Sequence, residues 1–168
     1  IGFVVADEFA KRAGVLWRYN PDWLGFVAKT SDFIVLKPST FMNKSGEAAK
    51  AVSHFFKIDA KDVLAVHDEL DLAFGKIKIS FDSTSAGHNG VNSMIESLAT
   101  TEFARLRIGV GRPVPKADGA PAQKPEDFVL ENFNEEQSGK VPSIVALSCE
   151  AVHAFLESGV DAVMNRFN

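Results

Sequence analysis

Three polar clusters hold residue types that the hydrolysis of an ester or phosphate uses. Thr40-Phe41-Met42-Asn43 offers a side-chain amide. His67-Asp68-Glu69-Leu70-Asp71 sets three carboxylates beside an imidazole. Gly87-His88-Asn89-Gly90 places an imidazole and a second amide between glycines. An asparagine amide can donate to a carbonyl oxygen that gains charge in a transition state. A carboxylate can orient a histidine that takes a proton from water. Three carboxylates together could instead hold a hard cation such as Mg²⁺. Each cluster also has an ordinary reading. Asn43 could cap a helix beginning near Gly46, residues 68–71 could form a solvated loop, and Asn89 could cap a helix from Val91 after a tight turn.

Other reactive side chains are less suggestive. His54 sits beside Phe55 and Phe56 and reads as structural. His153 lies on an acidic C-terminal helix and reads as a surface or packing residue. Cys149 stands in an apolar stretch with Val145, Ala146 and Val152, the setting of a buried, inert thiol. As the one cysteine it allows neither an internal disulfide nor a cysteine zinc cluster, which fits a reducing cytoplasm.

The elements that would position these clusters alternate between helix and strand. Residues 1–13 read as an amphipathic helix with Val5 and Phe9 on one stripe, ending at Gly14. No Ser, Thr, Asp or Asn precedes it as a cap, as in a helix entered midway. Trp23–Thr30 and Phe33–Lys37 read as strands joined by Ser31-Asp32. Gly46–Phe56 reads as a helix, Val63–Val66 as a short buried strand and Asp68–Gly75 as a polar loop. Lys76–Phe81 alternates as a half-exposed strand does. Val91–Leu98 reads as a helix and Leu106–Val110 as a strand. Pro113–Pro125, with four prolines, reads as a long flexible loop. Glu135–Leu156 reads mainly as helix, interrupted near Pro142, with Gly159 setting off a last turn over Val160–Arg166. The pattern predicts an α/β fold with a mixed sheet. In such sheets ligands sit beyond the carboxyl ends of the strands, where the first two clusters fall.

The chain has 168 residues, 46% hydrophobic and 24% charged. Those values predict one globular domain and exclude disordered and fibrous classes. No apolar run approaches the roughly 20 residues that span a bilayer. The net charge of −4 is uneven. Residues 76–116 hold six basic and three acidic groups, whereas residues 117–168 hold three basic and nine acidic ones. A local basic segment can meet phosphate even in an acidic protein.

Taken in order, four motifs resemble those of bacterial-type peptidyl-tRNA hydrolase. They are Thr40-Phe41-Met42-Asn43-Lys44-Ser45-Gly46, Val66-His67-Asp68-Glu69-Leu70-Asp71, Gly87-His88-Asn89-Gly90, and Arg105-Leu106-Arg107-Ile108-Gly109-Val110-Gly111-Arg112-Pro113. Phe128-Val129-Leu130 and the acidic helix after it are similar to the family's C-terminal part. The resemblance implies a single α/β domain over residues 1–168, with a central mixed twisted sheet and helices on both faces. It implies a monomeric, cytoplasmic esterase with no metal or other cofactor and no obligate protein partner. Its substrate would be peptidyl-tRNA, released from stalled ribosomes and cleaved at the ester joining the peptide to the tRNA 3′ end. Asp68 takes the role of holding a general-base histidine. Asn43 and Asn89 bind substrate near the scissile ester and help place water. Phe41 matches a position that contacts the RNA 3′ end, and Lys78 and Arg107 match positions that hold a tRNA phosphate.

The departure lies at the start. The family's catalytic histidine belongs to an Arg-His-Asn-x-Gly motif, and Ile1-Gly2-Phe3 matches the residues just after that histidine and asparagine. The resemblance therefore places the opening strand, an Asn-Pro-Gly loop and the general base ahead of Ile1, over roughly 15–25 residues. None of His54, His67, His88 and His153 matches the catalytic position. Residues 1–168 alone are then expected to lack a central strand and to hydrolyse the ester poorly or not at all. Two other readings stay open: a non-catalytic RNA-binding relative, and a Mg²⁺-dependent phosphohydrolase using Asp68, Glu69 and Asp71.

Overall fold

The first helix, α1 (Gly2–Arg12), buries Val5, Phe9 and Ala10 and ends with Lys11 and Arg12, charges suited to a helix C-terminus. It runs close against the next layer. A Cβ on Gly2 would lie 2.5 Å from the carbonyl oxygen of Val66. The computed structural model that shows this describes residues 1–114 and 123–168. Most of the proline-rich stretch 113–125 lies outside the described residues.

Three strands come next as an antiparallel meander: β1 (Arg18–Asn20), β2 (Gly25–Lys29) and β3 (Ile34–Pro38). Strand β1 has three residues and was not legible as a strand. Helix α2 (Ser45–Phe56) then leads to β4 (Leu64–Glu69) and β5 (Ile77–Phe81), and after them α3 (Asn89–Leu98) and β6 (Ala104–Gly109). The second sheet has the order β4-β6-β5, with β4 parallel and β5 antiparallel to β6. The described strands thus form two three-stranded ladders, one of them mixed. Helix α1 packs on both β3 and β4 and so ties the two ladders together.

Strand β4 corrects the reading of residues 68–75 as a loop, because His67, Asp68 and Glu69 are paired in the sheet with Arg107, Ile108 and Gly109. The central strand β6 explains why polar residues enter a strand there. Its Ala104, Leu106 and Ile108 join the main core with Leu64 and Val66 of β4 and Ile77, Ile79 and Phe81 of β5. By the period of two, Arg105 and Arg107 share the opposite face with His67, Glu69, Lys78 and Ser80.

A short helix, α4 (Pro125–Phe128), precedes α5 (Glu135–Phe167). Asn134 and Gln137 form a reciprocal capping box at the start of α5. The helix runs through Pro142, where an interruption was expected. Gly159, at φ 75°, does break the helical geometry, as expected. By length and composition α5 could cross a membrane. Here its Ile144, Val145, Cys149, Ala151, Phe155 and Val163 pack against α1 and the mixed sheet as core.

Helices α2 and α3 pack together, and one glycine sets their spacing. A Cβ on Gly46 would fall 2.0 Å from the Ser93 carbonyl oxygen. Substitution Gly46→Ala is therefore expected to force the helices apart and cost about 1–3 kcal/mol. In α5, a Cβ on Gly139 would meet nothing within 4 Å, so Gly139→Ala should be neutral or slightly stabilising. Urea unfolding of both variants against the parent chain checks this, and a harmless Gly46→Ala would refute the packing argument.

Candidate active site

Helix α3 begins at the centre of the site. Its N-cap is His88, whose Nδ1 accepts from the backbone N–H groups of Gly90 (3.1 Å) and Val91 (3.2 Å). This corrects the expectation that Asn89 caps the helix. An Nδ1 that accepts two hydrogen bonds carries no proton, so the neutral ring holds its proton on Nε2. That Nε2 faces Asp68 Oδ1 at 3.4 Å. Asn89 is thereby released from capping. Its side chain is exposed, and no hydrogen bond among the described residues engages its amide.

Asp68 sits at the carboxyl end of β4. Burial pushes its carboxyl up, but the hydrogen bond from His88 and the imidazoles around it outweigh burial and hold it below its ordinary value.

His67 packs its ring on that of His88, with centroids 4.6 Å apart. It is 7% exposed. Its Nδ1 donates to the Asp68 carbonyl oxygen at 2.7 Å, and its buried Nε2 meets no partner among the described residues. Burial, and after it the nearby His88, lowers its pKa from 6.5 to about 4. The ring is neutral at physiological pH and is a weak base.

Asn43 lies in a 3₁₀ turn, Met42–Lys44, directly after β3. The N-cap of α2 is Lys44, without a side-chain hydrogen bond, so Asn43 does not cap that helix. The turn abuts the start of α3: a Cβ on Gly90 would fall 2.6 Å from Met42 Sδ, and Gly46 N–H donates to Ser93 Oγ at 3.0 Å. The asparagines of both motifs are exposed. Phe41 is 83% exposed, beside Met42 at 50%.

Lys78 and Arg107 are cross-strand partners on β5 and β6. Lys78 is exposed. Arg107 forks onto one carboxylate oxygen of the buried Glu69, through Nε at 2.9 Å and Nη2 at 2.8 Å. The Glu69–Arg107 pair was missed from sequence, although the alternation Arg-Leu-Arg in β6 signals a polar face that needs a carboxylate. Glu69 also accepts from Asp71 N–H, and Asp71 pairs with Arg112. The three carboxylates of the 68–71 cluster thus turn to three different partners. Among the described residues no group of three His, Cys, Asp or Glu side chains converges to hold a metal. The Mg²⁺-dependent reading loses its ligand set.

The other candidates stay apart from this centre. His54 is exposed on α2. His153 is exposed and faces Glu157 at 3.2 Å. Cys149 is buried against the Val5 carbonyl, and burial pushes its thiol up.

Comparison with known proteins gives one answer. The family model described as peptidyl-tRNA hydrolase matches residues 1–168. A peptidyl-tRNA hydrolase of Gloeobacter violaceus is 37% identical, over 99% of this chain and 83% of the relative. One of Mycobacterium marinum is 35% identical, over 99% of this chain and 86% of the relative. The crystal structure of peptidyl-tRNA hydrolase from Acinetobacter baumannii superposes with a TM-score of 0.86 at 26% identity, covering 99% of this chain and 83% of that one.

The burial of His67 generates a pH dependence. Above about pH 7 its ring is neutral both folded and unfolded, and it adds no pH-dependent term. As pH falls from 6.5 toward 4 the unfolded chain takes up the proton and the folded chain does not. Stability therefore falls in that window, by up to the order of 3 kcal/mol from this group. His67→Asn should shrink the loss of urea stability between pH 7 and pH 4.5. An unchanged loss would show that His67 is not a source of it.

Proposed function

The chain belongs to the peptidyl-tRNA hydrolase family, and on that premise we propose that Asp68, Asn43 and Asn89 form its catalytic centre, with Phe41, Lys78 and Arg107 binding the tRNA. The reaction is the hydrolysis of peptidyl-tRNA, a carboxylic ester hydrolysis that serves translation. The observation that supports the site assignment is the meeting of two separate motifs at Met42 and Gly90, beside a His88 that faces Asp68.

In this reading a water attacks the carbonyl carbon of the ester. A base takes the water proton, the tetrahedral oxyanion draws on asparagine N–H donors, and the ribose oxygen leaves with a proton. An ester needs no covalent nucleophile for this. Asp68 stays ionised and can orient and stabilise a protonated imidazole. Neither nearby histidine is free to be that base. His67 is enclosed and held near 4, and both nitrogens of His88 are committed. The resemblance assigns the base to the histidine of an Arg-His-Asn-x-Gly motif, to which neither ring belongs. We take the protein to act as a cytoplasmic monomer on peptidyl-tRNA freed from stalled ribosomes, without a metal or obligate protein partner.

Phosphate binding supplies affinity without base preference, as an enzyme that serves many tRNAs requires. Glu69 offsets the charge of Arg107, which leaves Lys78 as the exposed cation of the pair.

In a form of the chain that carries the general base, Asp68→Asn, Asn43→Ala and Asn89→Ala should each lower kcat by about 10²-fold or more. Wild-type rates in all three would remove the site assignment. If the native protein binds tRNA and leaves the ester intact, the non-catalytic RNA-binding reading replaces the hydrolase one. Lys78→Ala should weaken tRNA binding and reduce the slope of log affinity against log salt by about one; an unaltered slope would remove the phosphate site.

A further inference from the structure

Arg105 is the largest fully enclosed side chain, 1% exposed. Among the described residues it meets no carboxylate. Its Nη1 donates to the carbonyl oxygen and the hydroxyl of Ser83, and to the Thr84 carbonyl oxygen at 3.0 Å. Its guanidinium stacks over the Phe103 ring, with 4.5 Å to the centroid. Among the described residues Nε and Nη2 find no partner, though both are buried. Asp82 acts on it only through space, since its carboxylate accepts from the Thr101 hydroxyl. A guanidinium buried with so few partners is costly and needs a reason.

What Arg105 holds is the loop between β5 and α3, residues 82–88. Asp82, Ala86 and Gly87 all have positive φ, 45°, 51° and 84°. A non-glycine residue keeps such a backbone only where its surroundings impose it. The loop's own bonds are short-range, from Gly87 N–H to Ser85 Oγ and from His88 N–H to the Ser85 carbonyl. Asp82 also contacts Thr101, Ser83 Oγ reaches Ser80 Oγ on β5 at 3.4 Å and His88 faces Asp68 on β4, but among the described residues Arg105 is the side chain that ties this loop to the central strand. The loop ends on His88, which faces Asp68, and on Asn89.

We propose that Arg105 is a positioning residue for the hydrolysis: it clamps Ser83 and Thr84 onto β6 and so sets how His88 meets Asp68 and where Asn89 is presented. This rests on the active-site reading above. The guanidinium suits the task because its planar fork spreads charge-assisted donors over several oxygens of a bent loop, which a point-charge ammonium does less well. Lys78 and Arg107 lie outside the loop, on β5 and β6, so the tRNA contacts do not depend on the clamp.

The test compares Arg105→Met and Arg105→Lys with the parent chain. Three quantities are read: hydrogen exchange of the Gly90 and Val91 amides against that of the Leu106 amide, the ¹⁵N shift of His88 Nδ1, and kcat and KM on an N-acetylaminoacyl-tRNA in a form carrying the general base. Arg105→Met should speed exchange at Gly90 and Val91 by about tenfold or more while Leu106 stays protected. It should also shift the Nδ1 signal and lower kcat roughly 10–100-fold with KM within about twofold. Arg105→Lys should recover part of each, and carries the test if the methionine variant does not fold. Parent-like exchange and shift in the lysine and methionine variants overturn the proposal. Faster exchange spread evenly over the loop and β6 overturns it too, since Arg105 would then serve core stability alone. A freed loop with unchanged kcat also overturns it. Asn89→Ala, measured alongside, separates the two claims: wild-type turnover there removes the active-site reading, and exchange at Gly90 and Val91 still decides the clamp.

Discussion

Two arginines on one face of a buried central strand set the terms for the rest of this fold. Leu106 and Ile108 bind β6 into the apolar core, and the pleat then turns Arg105 and Arg107 to the other side. Neither charge can stay uncompensated there, because a buried ion without partners costs several kcal/mol. Arg107 is met by Glu69 across the parallel pair β4–β6. Arg105 is met by the carbonyls of the β5–α3 loop. One answer fixes the carboxyl end of β4, and the other fixes the approach to α3. These are the two places from which Asp68 and His88 face each other.

The third part of the site is held by close approach rather than by charge. Gly46 lets α2 touch the backbone of α3, and Gly90 leaves room for the Met42 thioether. Side chains in these places would push the turn 42–44 away from the helix start. Ion pairs and carbonyl clamps therefore position groups from the sheet, and small residues position groups from the helices. Neither set uses the amides of Asn43 or Asn89, which stay exposed and without partners among the described residues.

The sequence was most legible where one face of an element is wet. Lys76–Phe81 reads as a strand because lysines alternate with isoleucines, and the observed strand Ile77–Phe81 differs by one residue. Helices α2 and α3 were placed within two residues of their ends. Asp68 and Glu69 read as loop because a buried polar strand end makes sense only with Arg107 opposite, 38 residues later in the chain than Glu69. The cap of α3 was placed one residue late. Asparagine is the better cap by frequency, and only the geometry shows an imidazole in that place. The turn with Asn43 lacked any local signal, since what holds it is the long-range contact with α3. The motif resemblance reached the same residues without passing through these contacts.

The protonation of His88 bears on how Asp68 can act. Because Nδ1 accepts from two backbone amides, the ring proton must stand on Nε2 and point to Asp68. The ring is then a neutral donor, and it cannot itself draw a proton from water through either nitrogen. It stabilises the carboxylate against the burial that would protonate it. His67 is neutral as well, for a different reason, namely its enclosure. Asp68 keeps its charge, and it is not consumed by a fixed cation. The surroundings of Asp68 therefore favour a proton on whatever basic group stands beside it, as an imidazole acting as general base requires.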